Sequence, residues 1–326
     1  MTGGPAEGSS SYLVLPGDDA TPRLSPGDAI RVSPNTGGFG DVPLEPVAGA
    51  DPSQAPYGFV DFERRAPLGW IALIFIVLVI ALGRRVGFLS LVGLGVGLVL
   101  VTAFVVPAIL EESSPFAVGL VGSFAAMFAT IVLVYGIGAK SLAALLGTAA
   151  SLLATALLAV VGVKVAHITG TVTEEATLVR SLSSGGVSLQ GLVLAGILIA
   201  TLGVLNDVTV GQASTVLALR RADPAQEIAD LYREGIAVGR DHLGATVNTL
   251  VFAYAGASLP LLLIFSSQGI GIGDAINREI VATEIVAALV GSIGLILAVP
   301  LTTITAALLA VRLPAEILPD EHHHHH

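Results

Sequence analysis

Two polar clusters interrupt the apolar part of this chain, and they hold its most plausible chemistry. One is Asn206-Asp207-Val208-Thr209 with Gln212; the other is Asp241-His242 with Thr246, Asn248 and Thr249. Carboxylates and imidazoles exchange protons or hold cations, an unperturbed histidine titrating at about pH 6.5. Plainer roles compete at each position. Asp207 and Asp241 can mark helix ends at a water interface, paired with Arg220 or Arg240. His242 can be a structural hydrogen-bonding group, and Asn248 and Thr249 can stitch helices together.

The elements that must position these groups are seven apolar runs: Pro67–Gly83, Val86–Leu110, Phe116–Tyr135, Ser141–Ala166, Leu189–Leu205, Leu243–Phe265 and Val281–Val311. Each is close to or above the roughly 17–25 residues that a helix needs to cross a hydrocarbon core. The expected fold is an all-α membrane protein of about seven transmembrane helices, preceded by a small β-rich extracytoplasmic segment. Both polar clusters stand where the fifth and sixth runs meet the loop between them, so they share one membrane depth.

Helical spacing sharpens the expectation. At roughly 100° per residue, Asp241, His242, Ala245, Thr246, Asn248, Thr249, Phe252, Ala253 and Gly256 share an arc of about 160°. Leu243, Val247, Leu250, Val251, Tyr254 and Leu261 lie opposite. The polar face is expected to meet other helices or water, and the bulky face lipid. In the fifth run, Gly196, Ala200, Gly203, Asp207, Gly211 and Ser214 form one narrow stripe of small residues around a carboxylate. Small stripes let helix backbones approach closely, so Gly196, Gly203 and Gly211, with Gly256 and the Gly93/Gly97 pair, are candidate packing positions. A vestibule lined by Asp207, Asp241, His242 and Asn248 follows.

Composition excludes several classes. Hydrophobic residues make up 53% of the chain and charged ones 12%, with a mean hydropathy of +0.84, which no soluble domain of this size combines. The net charge of −10, without any basic patch, excludes nucleic acid as a partner. With no cysteine there is no disulfide framework and no thiolate, and no spacing here is diagnostic of a metal or a cofactor. Residues 1–56 carry nine of the seventeen prolines and read as an extramembrane β-rich piece or tail, with strand-like Tyr12–Leu15 and Ala29–Val32. Residues 57–66 form a strand-like lead-in and 67–313 the helical domain. Residues 314–326 are a tail ending in the His322–His326 tag.

Basic residues set the expected topology. Arg84, Arg85, Lys140, Arg220, Arg221, Arg233, Arg240 and Arg312 fall on one side of a seven-helix alternation. Glu111-Glu112 and Glu174-Glu175 fall on the other, with Lys164, Arg180 and Arg278; Arg64-Arg65, also there, count against the assignment. The positive-inside rule puts the N-terminal region outside and the C-terminus in the cytoplasm of a bacterial inner membrane. On the inner side, Asp223-Pro224-Ala225-Gln226 reads as a helix start, giving a helix over 224–239.

These residues also carry a resemblance. Gly203-Val204-Leu205-Asn206-Asp207-Val208-Thr209-Val210, then Gly239-Arg240-Asp241-His242 and Thr246-Val247-Asn248-Thr249-Leu250 with Ala253-Tyr254-Ala255-Gly256, are similar to the YibE/F-like family of bacterial multi-spanning proteins. The similarity extends over Tyr57–Val311, including Phe104-Val105-Val106-Pro107-Ala108-Ile109-Leu110. Family members often carry Asp at the position of Asn206 and His at that of Tyr135, and this chain departs from both. The resemblance implies a membrane protein of suspected transport function, with no substrate to borrow.

Three functions compete. A self-contained secondary carrier would use Asp207, Asp241 and His242 to handle a proton or bind a small solute or ion. A permease subunit would dock an ATPase subunit on the 224–239 helix, because the chain has no GxxxxGK[ST] loop of its own. An intramembrane hydrolase would use Gly271-Ile272-Gly273-Asp274, but that motif lies in a loop where Asp274 reads as a helix cap. The chain is therefore expected not to be an enzyme. Its partners are the lipid bilayer, an unknown solute or ion, and either further copies in a homo-oligomer or an ATPase.

Overall fold

The computed structural model describes residues 13–14, 24–34, 57–183 and 185–312. The chain forms two compact units, Met1–Leu78 and Val79–His326. In the first, strands β1 (Leu13–Val14), β2 (Ile30–Pro34) and β3 (Tyr57–Phe62) make a sheet of order β1-β3-β2. β1 runs parallel to β3 and β2 antiparallel, with an irregularity between Arg31 and Val32. The strand hands over to helix through local ion pairs, Arg64 with Asp61 at 2.6 Å and Arg65 with Glu63 at 2.8 Å. The Arg65 guanidinium and the Arg65 amide both donate to the Glu63 carboxylate, holding its pKa at about 2.

Helices follow: α1 (Arg65–Leu100), a π-helical turn at Val101–Val105, α2 (Val106–Leu110), α3 (Pro115–Tyr135), α4 (Ala139–Val165), α5 (Glu174–Leu182), α6 (Leu189–Ala222), α7 (Ile228–Ala257), α8 (Leu259–Ser267), α9 (Ile272–Ile276) and α10 (Glu279–Arg312). Five stretches are long and apolar enough to cross a membrane: Arg65–Leu110, α3, α4, α6 and α10. A sixth is the pair α7 and α8, bent by 54°. Pro260 causes that bend. It has no N–H to give, and its ring collides with the carbonyl four residues back, so the helix restarts after Ser258.

The expected seven runs therefore appear as five or six, because the first two are joined in one stretch of 46 residues. At 1.5 Å per residue a straight helix of that length would reach ~69 Å, about twice a hydrocarbon core. It is not straight. Arg84 has φ 47° and ψ −126°, outside the helical region. A Cβ placed on Gly87 would land on the Val79 carbonyl, with Val79 C at 3.0 Å. Residues eight apart in a straight helix are separated by ~12 Å, so the chain folds sharply between them.

The core of the second unit lies where α4, α6 and α10 meet, with α3 laid against α6 and α7 seated on α6 and α10. Glycines set the approach distances. A Cβ at Gly147 on α4 would strike the Thr302 hydroxyl of α10 and come within 2.9 Å of its Cα. One at Gly294 on α10 would strike the Thr155 hydroxyl of α4, and one at Gly119 on α3 would sit 2.7 Å from Ala195 Cβ of α6. On α7, Gly239 would meet Val299 at 2.6 Å, and Gly235 would meet Thr303 and Val216 at 2.9 Å.

The expected packing glycines divide differently. A Cβ at Gly93 would touch Thr130 at 3.1 Å, but Gly97, Gly196, Gly203, Gly211 and Gly256 have open space around them. Small size permits a close approach without requiring one, and α6 turns its other sides to α3, α4, α7 and α10. The helix expected from Asp223 also begins later, at Ile228. Asp223 instead closes α6 in an extended conformation, and its Oδ1 accepts the Ala225 amide at 3.0 Å, which makes a turn.

Substitution separates the two kinds of glycine. Gly147→Ala forces a methyl into Thr302 and is expected to destabilise the fold by ~1–3 kcal/mol. Gly203→Ala adds its methyl to open space and is expected to cost nothing. Denaturation in mixed micelles measures both; equal losses would refute this packing.

Candidate functional site

The polar side chains of α6 divide by face. Thr209 and Gln212 point inward and are buried. The Thr209 hydroxyl shares a 2.6 Å hydrogen bond with Thr148 of α4. Gln212 Nε2 donates to the Gly235 carbonyl of α7 at 2.7 Å and to Thr303 Oγ1 of α10 at 2.8 Å. One amide thus ties three helices, and the absence of side chains at Gly235 and Gly239 leaves it room. These two residues, grouped by sequence with Asp207, work as structural joints.

Asp207 stands on the other side of α6. With Gly196, Ala200, Gly203 and Gly211 it forms an exposed strip along the surface of the chain. Among the described residues it makes no hydrogen bond or ion pair, but it lies within electrostatic range of Tyr135 at the end of α3. The Tyr135 ring in turn lies under the Lys140 ammonium, 4.5 Å from its centroid. Tyr135 of α3 thus has Lys140 of α4 against its ring and Asp207 of α6 within electrostatic range. Beside them, Asn206 is half-buried, and its Oδ1 has no hydrogen-bond partner among the described residues.

The second cluster presents an unexpected face. Asp241, His242, Asn248 and Thr249 are exposed, along with Ala245, Phe252 and Gly256. Leu250, on the face expected to meet lipid, is buried against Gly291 and Thr201, with Leu243, Val247 and Tyr254 half-buried beside it. Of the face expected to meet lipid, Leu243, Val247, Leu250 and Tyr254 pack within the chain, whereas Val251 is exposed and Leu261 lies beyond the bend in α8. Thr246 and Thr249 do not stitch helices together. Their hydroxyls donate to carbonyls of α7 itself, those of His242 and Ala245, each at 2.9 Å. Among the described residues no hydrogen bond or ion pair joins Asp207 to Asp241 or His242.

One ionisable residue escaped the sequence reading. Glu284 lies half-buried in α10 and within electrostatic range of Tyr254 of α7. Its signal was available: a carboxylate inside a long apolar run marks a functional position by default.

The family model for the YibE/F-like protein matches residues 71–312. That interval holds both polar clusters, Tyr135 and Glu284, and begins later than the expected Tyr57. No curated protein and no solved structure matches the chain.

The two kinds of polar residue should respond differently to loss. Gln212→Leu removes two interhelical hydrogen bonds, typically worth ~0.6 kcal/mol each, and should lower unfolding stability by about 1 kcal/mol. Thr246→Val removes only a bond within its own helix and should stay within ~0.5 kcal/mol. A larger loss at Thr246 than at Gln212, measured in the same unfolding assay, would reverse the assignment.

Proposed function

The chain belongs to the YibE/F-like family, and from that membership and the carboxylate on α6 we propose that it is an integral membrane transport protein, a secondary carrier for a small solute or ion in the bacterial cytoplasmic membrane. The observation that carries this reading is Asp207. It sits in a 34-residue helix, on a strip of small residues, without a hydrogen bond or ion pair among the described residues. An acidic residue at the centre of a membrane helix costs ~2.5–3.5 kcal/mol. A carboxylate held there without a structural partner is suited to cycles of protonation or cation binding. Tyr135 and Asn206 supply the neighbouring hydrogen-bonding groups.

This reading takes the carrier to be self-contained. One face of the first turns of α7, at Leu231, Gly235 and Gly239, is buried against the bundle, while Tyr232, Arg233, Glu234, Ala237, Val238 and Arg240 are exposed, so an ATPase-docking role would have to use that outer face. In the same reading the 46-residue stretch divides at Arg84 into two spans, giving seven in all, with the N-terminal region outside and the C-terminus inside. The meeting of Arg85, Lys140 and Arg221 around one cleft supports placing them on one side of the membrane, and the positive-inside rule makes that side cytoplasmic.

Orientation is testable because the native chain has no cysteine. An impermeant maleimide should label Ser114→Cys in the loop before α3 from outside intact cells. Labelling only after the inner face is exposed would invert the topology.

The carrier reading is tested on reconstituted protein by charge displacement on a solid-supported membrane after a pH step. The wild type should give a transient current. Asp207→Asn, which keeps the side-chain shape, should reconstitute normally and lose it. An Asp207→Asn current equal to that of the wild type would remove the central support for this function.

A further inference from the structure

A cleft of about 1130 Å³ opens in the second unit, between the chain just after its fold at Arg84, the junction of α3 and α4, and the end of α6. Its chemistry is lopsided. Among the described residues Arg85, Lys140 and Arg221 line it, and no carboxylate does. The other walls are apolar, Leu89, Phe128, Val132, Leu145 and Leu309 among them.

The junction itself has the form of an anion cradle. Gly136 takes φ 72°, a conformation that favours glycine, and turns the chain out of α3. Gly138 then occupies the N-cap of α4 with no side chain to cover the first turn. The positive end of a 27-residue helix dipole is directed at the cleft. Lys140 and Ser141 fall in that first turn. Ser141 is only 2% exposed, lines the cleft, and its hydroxyl has no hydrogen-bond partner among the described residues. That hydroxyl, beside the cleft, is therefore available to donate to a bound acceptor.

We propose that this cleft binds the phosphate of an anionic phospholipid. The start of α4, with Lys140 and Ser141, holds the phosphate oxygens. Arg85 and Arg221 close around the headgroup, and the apolar wall receives an acyl chain. Each part of the lining answers one part of such a molecule, and basic pockets between membrane helices are a general solution for anionic headgroups. A free phosphate shares the polar half of this chemistry but leaves the apolar half unused. The site is independent of the transport reading, since it needs neither Asp207 nor movement of a solute.

The experiment is native mass spectrometry of the delipidated full-length chain in detergent, titrated with phosphatidylglycerol and, separately, with phosphatidylcholine. One phosphatidylglycerol should be retained per chain, about ten-fold more tightly than phosphatidylcholine. Lys140→Gln and Arg221→Gln should each weaken retention about five-fold. Ser141→Ala, a smaller change that preserves the fold, should weaken it less. Glycerol phosphate at millimolar concentration separates the sources. Failure to displace the lipid supports a lipid occupant, whereas displacement keeps the phosphate chemistry and reassigns its source to solution. Equal retention of the two lipids by the wild type overturns the proposal, even if a variant fails to fold. So does unchanged phosphatidylglycerol retention in folded Lys140→Gln and Ser141→Ala.

Discussion

The contact on which this molecule depends is the approach of α4 and α10 at two crossed pairs, Gly147 against Thr302 and Thr155 against Gly294. Lipid tails are as apolar as leucine, so helices in a bilayer gain little by hiding apolar surface from each other. They gain from dispersion at short range, which requires small residues where backbones meet. Of the two facing hydroxyls, Thr155 is satisfied within its own helix, while Thr302 Oγ1 is buried with no hydrogen-bond partner among the described residues; most other core hydroxyls are satisfied at home. Thr148, Ser151, Thr155, Thr201 and Thr303 each donate to the carbonyl four residues back, at 2.6–2.8 Å. At both crossings it is the hydroxyl oxygen that meets the glycine of the neighbouring helix, which is why no Cβ fits there. α6 completes this core, and α3 and α7 then dock on its flanks.

With the core closed so tightly, little room remains inside for chemistry. The interhelical polar bonds within it, Thr148 to Thr209 and Gln212 to Gly235 and Thr303, are structural. Asp207, Asp241 and His242 are displaced outward onto one side of α6 and the outer side of α7, while Glu284 stays half-buried in α10. In water such placement would be unremarkable. In a bilayer it is costly for Asp207 and for the Asp241–Thr249 face, because acyl chains cannot solvate them. The surface these helices present therefore differs in kind from the bulky apolar surface of α1, where Ile71, Phe75 and Leu78 are exposed.

How much of this was legible follows from what hydropathy measures. Run length located the helices, and alternation found Tyr57–Phe62 as a strand. The motifs around Asp207 and Asp241 identified the family. The wheel of α7 grouped Leu243, Val247, Leu250 and Tyr254 correctly but not Val251, which is exposed, or Leu261, which lies past the bend; and since in lipid a bulky apolar face can serve either packing or solvation, the wheel did not fix the direction of a face. The same ambiguity misled the glycine stripe of α6. The glycines that do pack, such as Gly147 and Gly294, are recognisable only with their partners Thr302 and Thr155, which lie far away in sequence. Asp223 had the composition of a helix cap, but its side chain closes a turn three residues before Glu227 and Ile228 begin the helix.

Geometry adds a relation between sites that spacing could not supply. Asp207 and Ser214 lie on the same side of α6, two turns and ~10.5 Å apart, and Ser214 lines the basic cleft. Tyr135 bridges the same interval from α3, within range of Asp207 and beneath Lys140. Spacing along the chain gives no hint of this, because Tyr135, Lys140 and Asp207 belong to three different helices, α3, α4 and α6, and only the packing of those helices relates them.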